Sequence, residues 1–265
     1  MNLRLPHAIG RIVSAALSLI LPASLWLSTA PALAADEEIQ VYLDDMRAPG
    51  KFGVDVHNNY VFKGRGSPDY PGEQPPGRVY RLTPEFTYGV TDQLEFGLYL
   101  LTTRDAAGSW HGDGAKVRVK FIAPHDAEKG WFWGGNLEIG RTDSRVSETP
   151  WNAQFKGILG WRGGAWLLAA NPNINFKLSR NGGPVTDSLD LKLNRKVDEK
   201  TGLGLEAYTE WGPLRRPDAW NRNSKTVFAV VDHDFGDFDL NLGVGRGLTH
   251  EADRWLFKFI VGTTF

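Results

Sequence analysis

From residue 51 to residue 265 the chain is cut into short stretches in which apolar and polar side chains alternate. In 79–88 Leu82, Phe86 and Tyr88 share one side and Arg81, Thr83 and Glu85 the other. In 94–102 Leu94, Phe96, Leu98 and Leu100 oppose Glu95, and in 115–122 Val117, Val119 and Phe121 oppose Lys116, Arg118 and Lys120. Trp131, Trp133, Leu137 and Ile139 repeat the pattern, with Glu138 on the far side. A period of two is that of a β-strand with one greasy face and one polar face. Similar stretches occupy 51–62, 152–162, 166–178, 188–197, 202–211, 226–235, 238–245 and 254–265.

Turn signals separate these stretches at regular spacing, as an antiparallel meander requires. Short turns are expected near residues 91, 126, 163, 199 and 236, and longer loops near 70, 108, 146, 182, 217 and 249. The pattern predicts an all-β fold: a transmembrane, antiparallel, up-and-down β-barrel of about 12 strands, with short turns on one rim and long loops on the other. The last strand, RWLFKFIVGTTF, sets Trp255, Phe257, Phe259 and Val261 against Lys258, Gly262 and Thr264, with Leu256 and Ile260 breaking the alternation. It resembles the C-terminal signal of bacterial outer-membrane proteins, which ends in Phe and is read by the barrel-assembly machinery. A soluble β-sandwich with an apolar edge strand is the competing reading.

Residues 1–34 read as a signal peptide. Arg4 and Arg11 supply positive charge, 12–27 form an apolar run, and Ala32-Leu33-Ala34 has the small-x-small form of a cleavage site. Residues 35–50 carry Asp36, Glu37, Glu38, Asp44 and Asp45 and are expected to be a periplasmic N-terminal tail, with the barrel itself in 51–265. No later run approaches the roughly 20 apolar residues of a spanning helix. The chain has no Cys, so thiolate metal sites and a Cys nucleophile are excluded.

A formal charge of -1, which becomes -3 once the two leader arginines are removed, argues against a nucleic-acid partner. Ten tryptophans, one of them in the leader, suit the aromatic girdles of a barrel. The expected surroundings are outer-membrane lipid and lipopolysaccharide. The basic-aromatic loop with Arg215, Arg216, Trp220 and Arg222 is a candidate contact for the latter, or an ordinary solvated loop.

Function should lie on the inward face. Candidate lining residues are Arg81, Glu85, Glu95, Lys116, Arg118, Lys120, Glu138, Lys156, Asn173, Asn175, Glu206, Glu210 and Asp239. With strand four roughly opposite strand ten, a basic wall would face an acidic one and screen small-molecule solutes by sign and shape. The same charges could instead pair between neighbouring strands and fill the lumen. His57 with Asp55 and Asn59 is a lumenal polar cluster or a ligand site. No G-x-S-x-G elbow is present, and no His stands two residues from a Ser within a strand, so an enzyme is not expected. No spacing of His and Asp suggests a metal site, and no cofactor is expected.

The hairpin Tyr88-Gly-Val-Thr-Asp-Gln-Leu-Glu-Phe-Gly-Leu98 resembles the YG(L/V)TD-x-LE-x-G(L/I) hairpin of proteobacterial outer-membrane barrels of the MetA-pathway-of-phenol-degradation transporter type. Ala48-Pro49-Gly50-Lys51-Phe52 and the terminal Phe265 fit the same group. The resemblance covers chiefly residues 48–102 and the last strand. It implies an outer-membrane barrel passing small compounds, aromatic or apolar ones among them, and no catalytic residues. The polar inward face departs from an apolar conduit. The resulting expectation is a porin-like channel in the bacterial outer membrane, with a plugged structural or adhesive barrel and a lipid-active enzyme as alternatives.

Overall fold

The computed structural model describes residues 38–179 and 182–265. The expected signal peptide, residues 1–34, falls outside them. Twelve strands follow in chain order: β1 (Phe52–Lys63), β2 (Tyr80–Thr91), β3 (Leu94–Arg104), β4 (Trp110–Ile122), β5 (Gly130–Thr142), β6 (Trp151–Gly163), β7 (Trp166–Lys177), β8 (Thr186–Lys196), β9 (Thr201–Pro213), β10 (Lys225–Asp234), β11 (Asp239–Gly247) and β12 (Trp255–Thr264). Each pairs antiparallel with its chain neighbours, and β1 pairs with β12, from Gly53 opposite Thr264 to Lys63 opposite Trp255. The sheet is a closed barrel. Closure leaves no strand edge without hydrogen-bond partners, which lipid would not tolerate.

The exterior is apolar. Leu98, Val117, Leu137, Ile139, Phe155, Leu168, Leu191 and Leu205 are all exposed and belong to seven successive strands, β3 to β9, around the wall. Aromatic side chains mark both rims: Phe52, Tyr88, Trp131 and Trp166 near the turns, Phe62, Trp110, Trp151 and Trp255 near the loops. Strands of 9 to 13 residues are long enough to cross a hydrocarbon layer at a tilt. An arginine introduced on this belt faces hydrocarbon. Leu137→Arg is expected to destabilise the barrel by about 2–4 kcal/mol near mid-membrane, measured by chemical unfolding in lipid vesicles.

One expected loop is smaller than the sequence suggests. Residues 103–113 are expected to be loop, yet β3 runs to Arg104 and β4 starts at Trp110. Above the lipid belt both faces of this hairpin meet water or loops, so alternation stops marking the strand. Thr103 pairs with His111 and Arg104 with Trp110. Asp105 ties the tip by accepting from the backbone N–H groups of Ala107 and Ser109, each at 2.9 Å, and by meeting His111 Nε2 at 2.8 Å. The His111 contact, followed by those backbone bonds, holds the Asp105 carboxyl below its usual range.

Residues 38–50, expected as a tail in the periplasm, lie inside the barrel instead. They enter at the turn rim and run up the bore. The anchor is Gly89, whose N–H donates to Lys51 O at 3.0 Å and whose carbonyl accepts from Gly50 N at 2.8 Å. The backbone carbonyls of Arg47 and Ala48 pass so close to Gly89 that a Cβ there would sit 2.3 Å from each. Gly89→Ala should therefore push the segment off its seat. A loss of about 1–3 kcal/mol, the usual scale for overpacking, is expected in urea unfolding of the refolded protein.

Candidate functional site

The segment 38–49, called the strap below, is held along its length by inward side chains of the wall. Asn171 on β7 brackets the peptide of Tyr42: its Oδ1 accepts from Tyr42 N at 2.6 Å, and its Nδ2 donates to Tyr42 O at 3.0 Å. Lys258 on β12 donates to Ile39 O at 2.8 Å, and Lys120 on β4 to Asp45 O at 2.7 Å. Glu95 on β3 accepts from Arg47 N at 2.7 Å, while Arg47 Nη2 reaches Asp55 at 2.5 Å. His125 Nε2 meets Asp44 at 2.7 Å, and Arg162 also pairs with that carboxylate. The strap's backbone groups would otherwise be buried without partners, so these contacts stabilise its path.

Two apolar clusters complete the seat. Ile39 packs with Val61, Phe228, Val230 and Leu256. Tyr42 packs with Ile122, Phe132 and Ile158, joined by Leu43 and Met46. The lumen is thus not lined by polar groups alone. These wall residues are the ones that break alternation, Leu256 in β12 and Phe132 between Trp131 and Trp133 among them.

Most expected lining residues do face inward. Arg81, Glu85, Glu95, Arg118, Lys120, Glu138, Lys156, Asn173 and Glu206 are buried, Lys116, Asn175 and Glu210 half-buried, and Asp239 exposed at the turn rim. Their arrangement differs from opposed basic and acidic walls. Arg118 pairs with Glu85 and, at 2.7 Å, with Glu95 on the neighbouring β2 and β3 side of the barrel. Lys156 on β6 pairs with Asp190 on β8 at 2.8 Å. Glu206 on β9 is held between Lys258 and Lys192, the latter at 3.1 Å, and Lys192 also reaches Asp232 at 2.8 Å. Nearby charges neutralise one another because burial makes an unpaired ion costly.

Lys192, Asp190, Tyr99 and Lys258 belong to this network although no sequence argument had assigned them roles. Alternation places all four on the inward face, since Lys192 lies between Leu191 and Leu193, Asp190 between Leu189 and Leu191, Tyr99 between Leu98 and Leu100, and Lys258 between Phe257 and Phe259. Tyr99 is fully buried, and its hydroxyl lies 2.5 Å from that of Tyr42. The His residues bond carboxylates or threonine: His57 with Glu85, His111 with Asp105, His125 with Asp44 and His233 with Thr201.

The strap divides the bore. On the turn side lies a cavity of about 940 Å³ whose lining includes Asp55, Glu95, Arg118, Lys120, Lys192 and Asp232. On the loop side a second cavity of about 140 Å³ is bounded by Lys116, Glu138, Asn173, Glu210 and the loop residues Arg65 and Asp253. Glu38, Ile39 and Gln40 also line the smaller space, and Gln40 touches both.

A closed sheet with an apolar exterior, aromatic rims and a charged interior defines an outer-membrane β-barrel. Its neighbours among solved structures are of the same architecture. An outer membrane channel from Pseudomonas putida F1 aligns with a TM-score of 0.54 at 12% identity, over 83% of this chain and 97% of that one. The NanC porin aligns at 0.51 and 10% identity, over 80% and 98%. The KdgM porin, solved in complex with disordered oligogalacturonate, aligns at 0.50 and 9% identity, over 80% and 98%. At these identities the likeness is one of fold. No protein-family model matches the sequence, and no curated protein matches it.

Proposed function

We propose that this barrel is an outer-membrane channel for small solutes whose conducting path is closed at rest by its own N-terminal strap. The observation that carries the reading is the pair of cavities separated by the strap. The middle of the bore is filled by a short peptide and the wall side chains packed on it, and the peptide is held by hydrogen bonds that can break and re-form. A larger chamber at the turn rim and a smaller one under the loops would become one water-filled path if residues 38–49 shifted. The charge-paired lining suits small polar or dipolar solutes, with the two apolar clusters offering a second, greasy surface near mid-bore.

The Tyr88–Leu98 hairpin supports grouping the chain with barrels of the phenol-degradation transporter type. Lipopolysaccharide at the outer loops and the assembly machinery at β12 belong to the same proposal. The exposed Trp220 beside Arg222, with Lys225 3.8 Å from the centre of the Trp220 ring, supports the first. The aromatic face of β12, with Trp255, Phe257 and Phe259, supports the second.

The test is single-channel current through refolded mature protein in a planar bilayer, compared with a variant lacking residues 38–49. The intact protein should show small or brief steps, and the deletion a several-fold larger and steadier conductance. A deletion variant shown to be folded and inserted, yet silent, would sink the channel reading and leave the structural or adhesive barrel in front.

A further inference from the structure

Three potential metal-ligand side chains from three separate elements converge where the strap meets the wall. Glu38 comes from the strap, His57 from β1 and Glu85 from β2, and one ligand atom from each lies within 4.8 Å of the other two. The wall pair is set by the sheet. Asp55 is directly opposite Glu85 and His57 opposite Thr83, so His57 and Glu85 are diagonal neighbours on the inward face. Their nearest atoms, His57 Nε2 and Glu85 Oε2, are 3.2 Å apart. That is close to the edge of a tetrahedron, about 3.3 Å, built from metal–nitrogen and metal–oxygen bonds of about 2.0–2.2 Å.

We propose that Glu38, His57 and Glu85 bind one divalent cation of the zinc class, which fastens the strap to the barrel wall.

Each carboxylate already has an outer partner that aims it. Arg118 holds the other oxygen of Glu85, and the Tyr42 hydroxyl donates to Glu38 at 3.1 Å. Ligating groups positioned by such outer contacts are the usual pattern around a bound metal. His57 is 1% exposed, and its Nδ1 has no hydrogen-bond partner among the described residues. The nitrogen that faces Glu85 is Nε2, and it is the one that would bind the cation. One nitrogen and two carboxylate oxygens suit zinc or copper in preference to calcium or magnesium, which take oxygen alone. Glu38, Glu85 and Glu95 set three negative charges against the single guanidinium of Arg118, and a divalent cation would balance the remaining two in a place where solvent cannot. The cation would join Glu38, which lies outside every strand ladder, to the paired strands β1 and β2, so its binding would lock the strap.

The site stands independently of the channel reading, and its test needs no current. Refolded mature protein, stripped with EDTA, is titrated with Zn²⁺ by calorimetry, alongside Glu38→Gln, His57→Gln and the control His111→Gln. Glu38 lies outside every strand, so its substitution leaves barrel assembly intact, as checked by circular dichroism. One Zn²⁺ per barrel is expected for the wild type and for His111→Gln. At least a tenfold loss is expected for both Glu38→Gln and His57→Gln. Zn²⁺ should also slow hydrogen exchange of the strap amides in the wild type alone among the first three proteins. Absence of one-to-one binding in the wild type overturns the proposal. Equal affinity in all four proteins overturns it too, since that would mean Zn²⁺ sits on surface histidines.

Discussion

Arg118→Glu should cripple the barrel's stability before it alters any ion preference. Arg118 is buried on β4 and serves two carboxylates at once, Glu85 and Glu95. Its guanidinium also lies 5.8 Å from the centre of the Tyr42 ring and 6.0 Å from that of Tyr99. Removing one partner of a buried pair costs about 3–5 kcal/mol, because the other charge is left without compensation. Reversing the charge leaves three carboxylates together and should cost more. Guanidinium unfolding of the refolded protein in detergent would show the midpoint drop. Arg118→Met should lie between the wild type and Arg118→Glu. An unchanged midpoint in Arg118→Glu would mean that water reaches this network freely.

Lys258→Met is expected to produce the second large loss, about 3 kcal/mol, at the low end of the range for breaking a buried pair because Glu206 retains other partners. Lys258 is fully buried, pairs with Glu206, and donates to Ile39 O at 2.8 Å. Without it Glu206 keeps Lys192 at 3.1 Å and the Tyr208 hydroxyl at 2.6 Å, but the strap loses its upper tether. The surroundings include the apolar side chains of Phe228, Val230 and Leu256. A double variant, Lys258→Met with Glu206→Leu, should therefore recover much of the loss, since well-packed apolar residues often replace a buried ion pair at little cost. Unfolding midpoints of the two single variants and the double variant form the cycle that checks this. Recovery absent from the double variant would place the role of Lys258 in its bond to the strap and not in the ion pair.

The barrel itself was legible because period-two alternation is a local property and each strand states its facing independently. Strand count, both rims and nearly all inward residues can be read that way. The strap was not, because a segment without secondary structure carries no period. Its sequence did hold a signal: Ile39, Val41, Tyr42 and Leu43 are odd company for a solvated acidic tail. The matching signal lies in the wall, where Phe132, Ile158, Phe228 and Leu256 put apolar side chains on a polar face.

Charge pairing was illegible for a different reason. Which cation meets which carboxylate depends on shear between strands and on side-chain reach, and neither is encoded in facing. The hairpin motif gains meaning in hindsight. Gly89 makes room for the Arg47 and Ala48 backbone, Glu95 receives Arg47 N–H, and a Cβ at Gly97 would lie 2.6 Å from Arg118 Cγ. What reads in sequence as turn chemistry is in the fold a docking surface for the chain's own N-terminal stretch.

A bore interrupted by a peptide has a consequence for the membrane around it. An open pore leaks in proportion to its width, whatever the cell requires. With the proposed gating, the leak of protons and salts would be set by a lifetime: how long the Asn171, Lys258, Lys120 and Glu95 bonds to the strap stay broken together. Because they act on one short backbone, they should fail in concert, so permeability would arrive as rare pulses and not as a steady trickle.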